Sequence, residues 1–289
     1  MSFNRNNLCP NCGSGTHIPK GRNERCWGRP YEDGFICTRE EFKSNSPVDT
    51  GGWFHFYDRC SCRRGHGNSL VSSIMQEEIQ RSRKVNREYA IHIWDESISI
   101  NDPNCKARLY LTNTRGIDIS SDQLRYHSGL THFSTAKQKH TVLIARVSDI
   151  NNRTIAIQRI YLDNQQKANL EPNKMTLGSP IGGAVKLRQP ENGVLGICEG
   201  IETGLSVQQL TNTPVWVALG STFMSAIDLP PQGEVKTIKV FTDGDEAGTQ
   251  AYEKFYAKYK NIYNVENHQA PPGKDYNDVL TDKKKAIGL

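Results

Sequence analysis

No stretch of this 289-residue chain holds the roughly 18 consecutive apolar residues that a helix needs to cross a bilayer. The opening Met1-Ser2-Phe3-Asn4-Arg5-Asn6 is polar and lacks the apolar core of a secretory signal. A membrane partner is therefore not expected, and the expected location is the cytoplasm. Internal repeats and low-complexity tracts are also missing. So is a Walker-type phosphate loop: Pro271-Pro272-Gly273-Lys274-Asp275 has the Gly-Lys pair but neither the upstream glycine nor the hydroxyl residue that should follow. A fused helicase is not expected. Net charge is small, since 36 Lys+Arg against 31 Asp+Glu leaves +5, and so it points only weakly to a polyanionic partner. Distribution says more. Arg59, Arg63, Arg64, Arg81, Arg83, Lys84 and Arg87 crowd together upstream, while the notable carboxylates fall in the last third. Such asymmetry fits nucleic-acid binding, and fits a solvated basic helix equally well.

What the chain does have begins with 36% hydrophobic residues at a mean hydropathy of −0.62, enough to fill the cores of two modest domains and a small satellite module. Its 8 cysteines are poor disulfide candidates in a reducing compartment, so their spacing is tested for metal binding. Cys9-Pro10-Asn11-Cys12-Gly13 is a knuckle whose two-residue gap lets both thiolates grip one Zn2+. The second pair is either Cys26 and Cys37 or Cys60 and Cys62. The first is favoured, because Arg25-Cys26-Trp27-Gly28-Arg29 and Phe35-Ile36-Cys37 can form a small hairpin around Glu32-Asp33-Gly34. The single-residue gap in Cys60-Ser61-Cys62 is less usual; that pair is spare or belongs to a second site with His55 or His66. Trp27, Trp53, Phe54 and Phe56 nearby offer stacking surfaces for single-stranded template, although a small module more often uses such aromatics as its own core.

The expected organisation is a zinc-binding module over 1–67, a connector helix over 68–100, a mixed α+β subdomain over 101–190 and an α/β domain over 191–289. Val71, Met75 and Ile79 share one face of the connector. Cys105 to Thr114 has helical spacing and ends at Arg115-Gly116, where Gly116 can stop the helix in the left-handed region. Thr141–Val147 and Thr154–Leu162 read as a hairpin around Asp149-Ile150-Asn151-Asn152. Alternation puts Arg159 and Tyr161 on one face of the second strand, so an exposed, basic sheet face is expected there. From Gly193 the pattern alternates: strand 194–198, helix 202–210, strand 215–219, a short helix to Ile227, strand 237–242, helix 246–259 and strand 262–265. That order implies a parallel sheet flanked by helices.

Two of these strands end in carboxylates: Val194-Leu195-Gly196-Ile197-Cys198-Glu199-Gly200, and Ile238-Lys239-Val240-Phe241-Thr242-Asp243-Gly244-Asp245. Residues just past the carboxyl ends of parallel strands gather on one sheet edge. Glu199, Asp243 and Asp245 are thus expected to meet, and a cluster of hard oxygen ligands suits Mg2+ or Mn2+. Helix capping is the simpler role open to Asp243 or Asp245, and explains one carboxylate at most.

Glu199-Gly200 after one strand and Asp243-Gly244-Asp245 after another resemble the toprim domain shared by bacterial-type primases, type IA and II topoisomerases and several nucleases. The resemblance covers about 193–280. Upstream, Tyr110-Leu111-Thr112-Asn113-Thr114-Arg115-Gly116-Ile117 is similar to the start of the primase catalytic core, and an amino-terminal zinc module is the usual primase arrangement. The chain as a whole resembles a small phage-, plasmid- or mobile-element-type primase. It departs from the replicative bacterial form in its four-cysteine site and in ending at Leu289, which leaves no room for a large helicase-interaction domain. The resemblance implies metal coordination by Asp243 and Asp245, with Asp275 completing the acidic edge, and Glu199 as metal ligand or general acid/base. Arg115, Arg146, Arg159, Lys174 and Lys274 are implied contacts to nucleotide or template phosphates. Expected partners are single-stranded DNA, ribonucleoside triphosphates and a separate helicase or replication initiator. A toprim nuclease, and a non-catalytic zinc/toprim DNA-binding accessory protein, are the competing expectations.

Overall fold

The computed structural model describes residues 70–102, 105–135 and 138–288 without interruption; before them it describes residues 2, 5, 8, 9, 12, 14–18, 25–29, 34–39 and 52–56. The chain divides into two compact units, Met1–Gln76 and Glu77–Leu289. Cys60, Cys62, His66, Arg59, Arg63 and Arg64, and the side chains of His55, Phe54, Phe56, Val71, Met75 and Ile79, lie outside the described residues.

In the first unit β1 (Gly34–Cys37) pairs antiparallel with β2 (Trp53–Phe56), Cys37 standing opposite Trp53. This corrects the expected hairpin within 25–37. The aromatic run at 53–56 has the stronger strand character and takes β1 as its partner. Residues 25–29 form no strand and meet β1 through a hydrogen bond from Ile36 N to Arg29 O at 3.0 Å. Phe35 with Cys9, Cys26 and Cys37 makes the small core.

Helix α1 (Leu70–Glu96) opens the larger fold, and buries Ala90, Ile93 and Trp94 from one face. After β3 (Ile98–Ser99) come α2 (Lys106–Leu109) and a π-helical turn over Tyr110–Thr114. Gly116 ends the turn at φ 65, the left-handed stop expected there. The strands β4 (Leu124–Thr131), β5 (Lys139–Ser148), β6 (Thr154–Asp163), β7 (Gln166–Lys167) and β8 (Lys174–Gly178) complete a six-stranded antiparallel sheet; its order is β3-β4-β5-β6-β7, and β8 also pairs with β6. The β5–β6 hairpin lies where the sequence places it. Its expected exposed face is covered: Val142, Ile144, Ile157 and Tyr161 pack against Ala90, Ile93 and Trp94 of α1.

The opposite face of that sheet, with Leu143, Ala145, Ile160 and Leu162, shares a core with the last third of the chain. There the strands β9 (Val185–Lys186), β10 (Val194–Cys198), β11 (Val215–Val217), β12 (Thr237–Thr242) and β13 (Asn264–Gln269) form a sheet of order β13-β12-β10-β11-β9, parallel except for β9. The helices are α3 (Ile201–Thr211), α4 (Ser221–Met224), α5 (Glu246–Tyr259) and α6 (Tyr276–Ala286). Alternation sorts the strands cleanly between two cores. Cys198, Val215, Val217 and Phe241 join Leu205 and Leu280 on one side, while Leu195, Ile197, Trp216, Ile238 and Val240 meet Ala251, Phe255 and Tyr259 of α5 on the other.

Candidate functional site

Strand β10 ends at Cys198, which is buried, and releases an exposed Glu199; β12 ends at Thr242 and releases a half-buried Asp243. Because these strands are adjacent and parallel, with Cys198 opposite Phe241, both carboxylates leave the sheet at the same edge. The turn after β12 is held from two directions. Gln269 Nε2, at the end of β13, donates to Asp243 O at 3.1 Å and Asp245 O at 3.0 Å. Gly244 N donates to Lys274 O at 2.8 Å, and a Cβ at Gly244 would stand 1.9 Å from Pro271 O. Gly244 therefore serves the close approach of two backbone segments.

Asp245 caps α5, its Oδ1 accepting from Gly248 N at 2.7 Å. Asp275 caps α6 in a reciprocal box: Asp278 N donates to Asp275 Oδ1 at 2.8 Å, and Asp275 N donates to Asp278 Oδ2 at 3.1 Å. Capping thus accounts for Asp245 and Asp275, and commits one oxygen of each. Asp243 makes no cap. Its carboxyl is pushed up to about 6, by burial first and then by the negative charges of Asp275, Glu199, Asp245 and Asp278. The structure therefore brings together all four of the expected acids and adds Asp278.

The basic residues divide. Arg115, just after the π turn, lies within reach of the acidic edge: its guanidinium is favoured in charged form by Tyr110, Glu202 and Asp275 against the cost of burial. Lys274 is beside the edge but turns to Asp282 on α6, 2.7 Å away. Arg146 and Arg159 belong to the sheet face that packs on α1, where Arg146 Nε donates to Gln123 Oε1 at 2.9 Å and the guanidinium lies 5.6 Å from the Trp94 ring centre. Lys174 is exposed on β8. The structure does not bring Arg146, Arg159 or Lys174 to the carboxylates, because the periodicity of β6 fixes the side of the sheet and not what covers it.

Sequence reasoning missed Glu202 on α3. Its carboxylate meets Lys167 Nζ at 2.8 Å and the Tyr110 hydroxyl at 2.8 Å. Its position three residues after Glu199, at the head of a helix, was the available signal. It also missed Asn277, whose Nδ2 donates to Arg115 O at 2.7 Å.

In the first unit Cys9, Cys12, Cys26 and Cys37 converge, with ligand atoms all within 4.8 Å of one another. Burial, then the hydrogen bond with Cys9, pushes the Cys12 thiol up to about 12, whereas the hydrogen bonds from Cys37 and Cys9 pull Cys26 down. Four sulfurs at this spacing, three of them on buried cysteines and that of Cys12 half-buried, fit a tetrahedral, thiolate-binding ion. This is the second pair that the sequence favours. Among the described residues no three carboxylates close to the same spacing.

Residues 194–286 match the family model described as Toprim domain. This part of the chain is a toprim domain. Residues 84–187 match a domain of unknown function, DUF7146, a span that ends just after β9 and before the toprim strand β10. A search of curated proteins returns no match. Among solved structures the chain is similar to the primase fragment of the bacteriophage T7 primase-helicase protein, at 20% identity and a TM-score of 0.40, covering 52% of this chain and 62% of that one. It is similar to a DnaG primase catalytic domain bound to ssDNA, at 14% identity and 0.47, covering 74% and 81%. It is also similar to the zinc-binding and RNA polymerase domains of Aquifex aeolicus primase, at 12% identity and 0.42, covering 90% and 78%. The chain therefore spans less than two thirds of the T7 fragment. Within the toprim domain the acidic edge is Glu199, Asp243, Asp245, Asp275 and Asp278, and no helix of the described residues is long and apolar enough to cross a membrane.

Proposed function

We propose that the chain is a cytoplasmic DNA primase, joining ribonucleotides into short RNA primers on single-stranded DNA for phage, plasmid or mobile-element replication. The observation that supports this reading is that the adjacent parallel strands β10 and β12 of the toprim match release Glu199 and Asp243 at one sheet edge, beside the caps Asp245 and Asp275. In this reading Asp243 and Asp245 hold Mg2+ or Mn2+, Asp275 completes the edge, and Glu199 is a further ligand or a general acid/base. A divalent cation bound there helps the 3′-hydroxyl to attack and neutralises the departing pyrophosphate. The chain's own part is positional. Asp245 and Asp275 are fixed by their caps, Gln269 fixes the turn between Asp243 and Asp245, and Arg115 supplies positive charge to a triphosphate at the rim.

The four thiols hold Zn2+ in a module, residues 1–67, that presents template to the catalytic part. In that part 101–190 and 191–289 act as the two halves of one core, with 68–100 as connector. A separate helicase or initiator delivers the protein to its DNA.

The test supplies single-stranded DNA, labelled ribonucleotides and Mg2+ or Mn2+ to the full chain. Template-dependent short RNA is the expected product. Strand cleavage without synthesis makes the protein a toprim nuclease, and DNA binding with neither activity makes it an accessory module; either outcome overturns the proposal.

A further inference from the structure

The hydroxyl of Tyr110, a residue fully buried on the π-helical turn, sits between two charged groups. It donates to Glu202 Oε1 at 2.8 Å and accepts from Arg115 Nε at 2.9 Å. Lys167 Nζ, from β7, reaches the same Glu202 oxygen at 2.8 Å. A continuous chain thus runs from Lys167 through Glu202 and Tyr110 to Arg115, linking the antiparallel sheet to α3 and to the turn that carries Arg115.

Its direction is fixed. Burial pushes the Glu202 carboxyl up, but the Lys167 ammonium, its hydrogen bond and that from Tyr110 outweigh burial and bring it to about 2. Glu202, 12% exposed, is therefore always an acceptor and already has its counter-charge. Burial and the Glu202 charge push the ionisation of Tyr110 up, so its proton stays on oxygen and points at Glu202. The remaining lone pairs of the phenol face Arg115.

Arg115 is gripped a second time. Asn277, 5% exposed, donates from Nδ2 to Arg115 O at 2.7 Å and to Ser206 Oγ at 3.1 Å, and accepts from Arg115 Nη1 at 3.5 Å. Two guanidinium nitrogens are engaged, and Nη2 makes no hydrogen bond among the described residues. Asp275, whose charge bears on Asp243, bears on Arg115 as well. An unrestrained guanidinium beside these carboxylates would fold onto them and occupy the edge that a cation needs. Held back by Tyr110 and Asn277, it keeps its charge at the rim, and its rotamer entropy is spent before any phosphate arrives.

We propose that Lys167, Glu202 and Tyr110 form a positioning chain that holds Arg115 at the rim of the acidic edge, with one guanidinium nitrogen free for a substrate phosphate, and that Glu202 is not a metal ligand. The proposal rests on the reading of that edge as a phosphoryl-transfer site. It makes Tyr110 and Glu202 positioning residues that act through Arg115.

The experiment is a double-substitution cycle on the full chain, read as equilibrium binding of ATP with Mn2+ and of Mn2+ alone. Tyr110→Phe and Arg115→Gln are each expected to weaken ATP about tenfold, with the double variant no weaker than Arg115→Gln. Glu202→Gln is expected to weaken ATP several-fold and to leave Mn2+ alone within about twofold; it replaces Tyr110→Phe in the cycle should that variant melt early. Additive losses in the double variant, or unchanged ATP binding in Tyr110→Phe, overturn the chain. Loss of Mn2+ alone in Glu202→Gln overturns it by making Glu202 a ligand, and a wild type that binds no ATP overturns it by removing the phosphate that Arg115 is meant to meet. If the cycle closes as expected while the wild type makes no primers, the primase reading fails and the positioning chain stands.

Discussion

Asp243 carries an electrostatic penalty in the metal-free protein. Its carboxyl is raised from the ordinary aspartate value of 3.8 to about 6 by burial and then by Asp275, Glu199, Asp245 and Asp278. A folded-state pKa above the unfolded one means that the folded protein binds the proton more readily, so stability falls as pH rises through this window and the full cost is present above it. Two units correspond to about 2–3 kcal/mol at most, and solvent screening at this half-buried site lowers that figure. Asp243→Asn keeps the shape and removes the charge, so in metal-free protein at pH 8 it is expected to raise Tm by several degrees. At pH 5, between the unfolded value of 3.8 and the folded value of about 6, about half of that advantage should remain, and it should vanish only below the unfolded value. A thermal melt of both proteins at the two pH values checks this, and an equal or lower Tm for Asp243→Asn at pH 8 contradicts it. The same charge that destabilises the fold is what a divalent cation would neutralise, a trade of stability for function at one residue.

At the scale of elements, the junction between the β12–α5 turn and the β13–α6 loop is the tightest part of the site. Any Cβ at Gly244 meets Pro271 O at 1.9 Å, and Gly273 N and Gly244 N donate across the junction at 2.8 Å each. Gly244→Ala must push two backbone segments apart, for an expected loss on the order of 2–4 kcal/mol in urea unfolding. A loss under about 0.5 kcal/mol, the range of ordinary surface changes, would show that the junction is slack. The elements flanking it illustrate what the sequence discloses. Strands β10 and β12 and helix α5 are legible because parallel strands buried on both faces are continuous apolar runs and because Asp245 is a recognisable cap. The last strand is expected at 262–265 and found at Asn264–Gln269. Ile262 N and Tyr263 N return to Tyr259 O at 2.9 and 3.0 Å, so the apolar pair closes the end of α5 while the polar edge strand follows. Helix α6 and strand β4 are legible only in structure: one begins in a Pro-Gly loop, and the other, Leu-Arg-Tyr-His-Ser-Gly-Leu-Thr, is polar and interrupted by glycine. In the site, the acids announce themselves by following strands. Glu202, Tyr110 and Asn277 do not, since their partners are 92 and 162 residues away in sequence.

At the scale of the whole molecule, the segment 84–187 and the toprim domain share one core, in which Leu143, Ile160 and Tyr110 pack with Leu205, Val217, Phe241 and Leu280. Among the described residues of the amino-terminal unit, the core is Phe35 with Cys9, Cys26 and Cys37. A small module of this kind draws its folding free energy from the ion. Replacing Cys26 by Ser is therefore expected to remove close to all bound zinc, and Cys60→Ser to leave it, as measured by metal analysis of purified protein; loss in Cys60→Ser alone would transfer the second ligand pair to Cys60 and Cys62. The central claim, that the carboxylates gathered around Asp243 direct RNA synthesis on a DNA template, is tested most directly by resolving labelled products from single-stranded DNA, ribonucleotides and Mn2+ for wild type and Asp243→Asn side by side. The account predicts short template-dependent RNA from the wild type and at least a thousandfold less, on the order of 4 kcal/mol of lost transition-state stabilisation, from the folded variant. Equal product from both, or no product from the wild type, would contradict it.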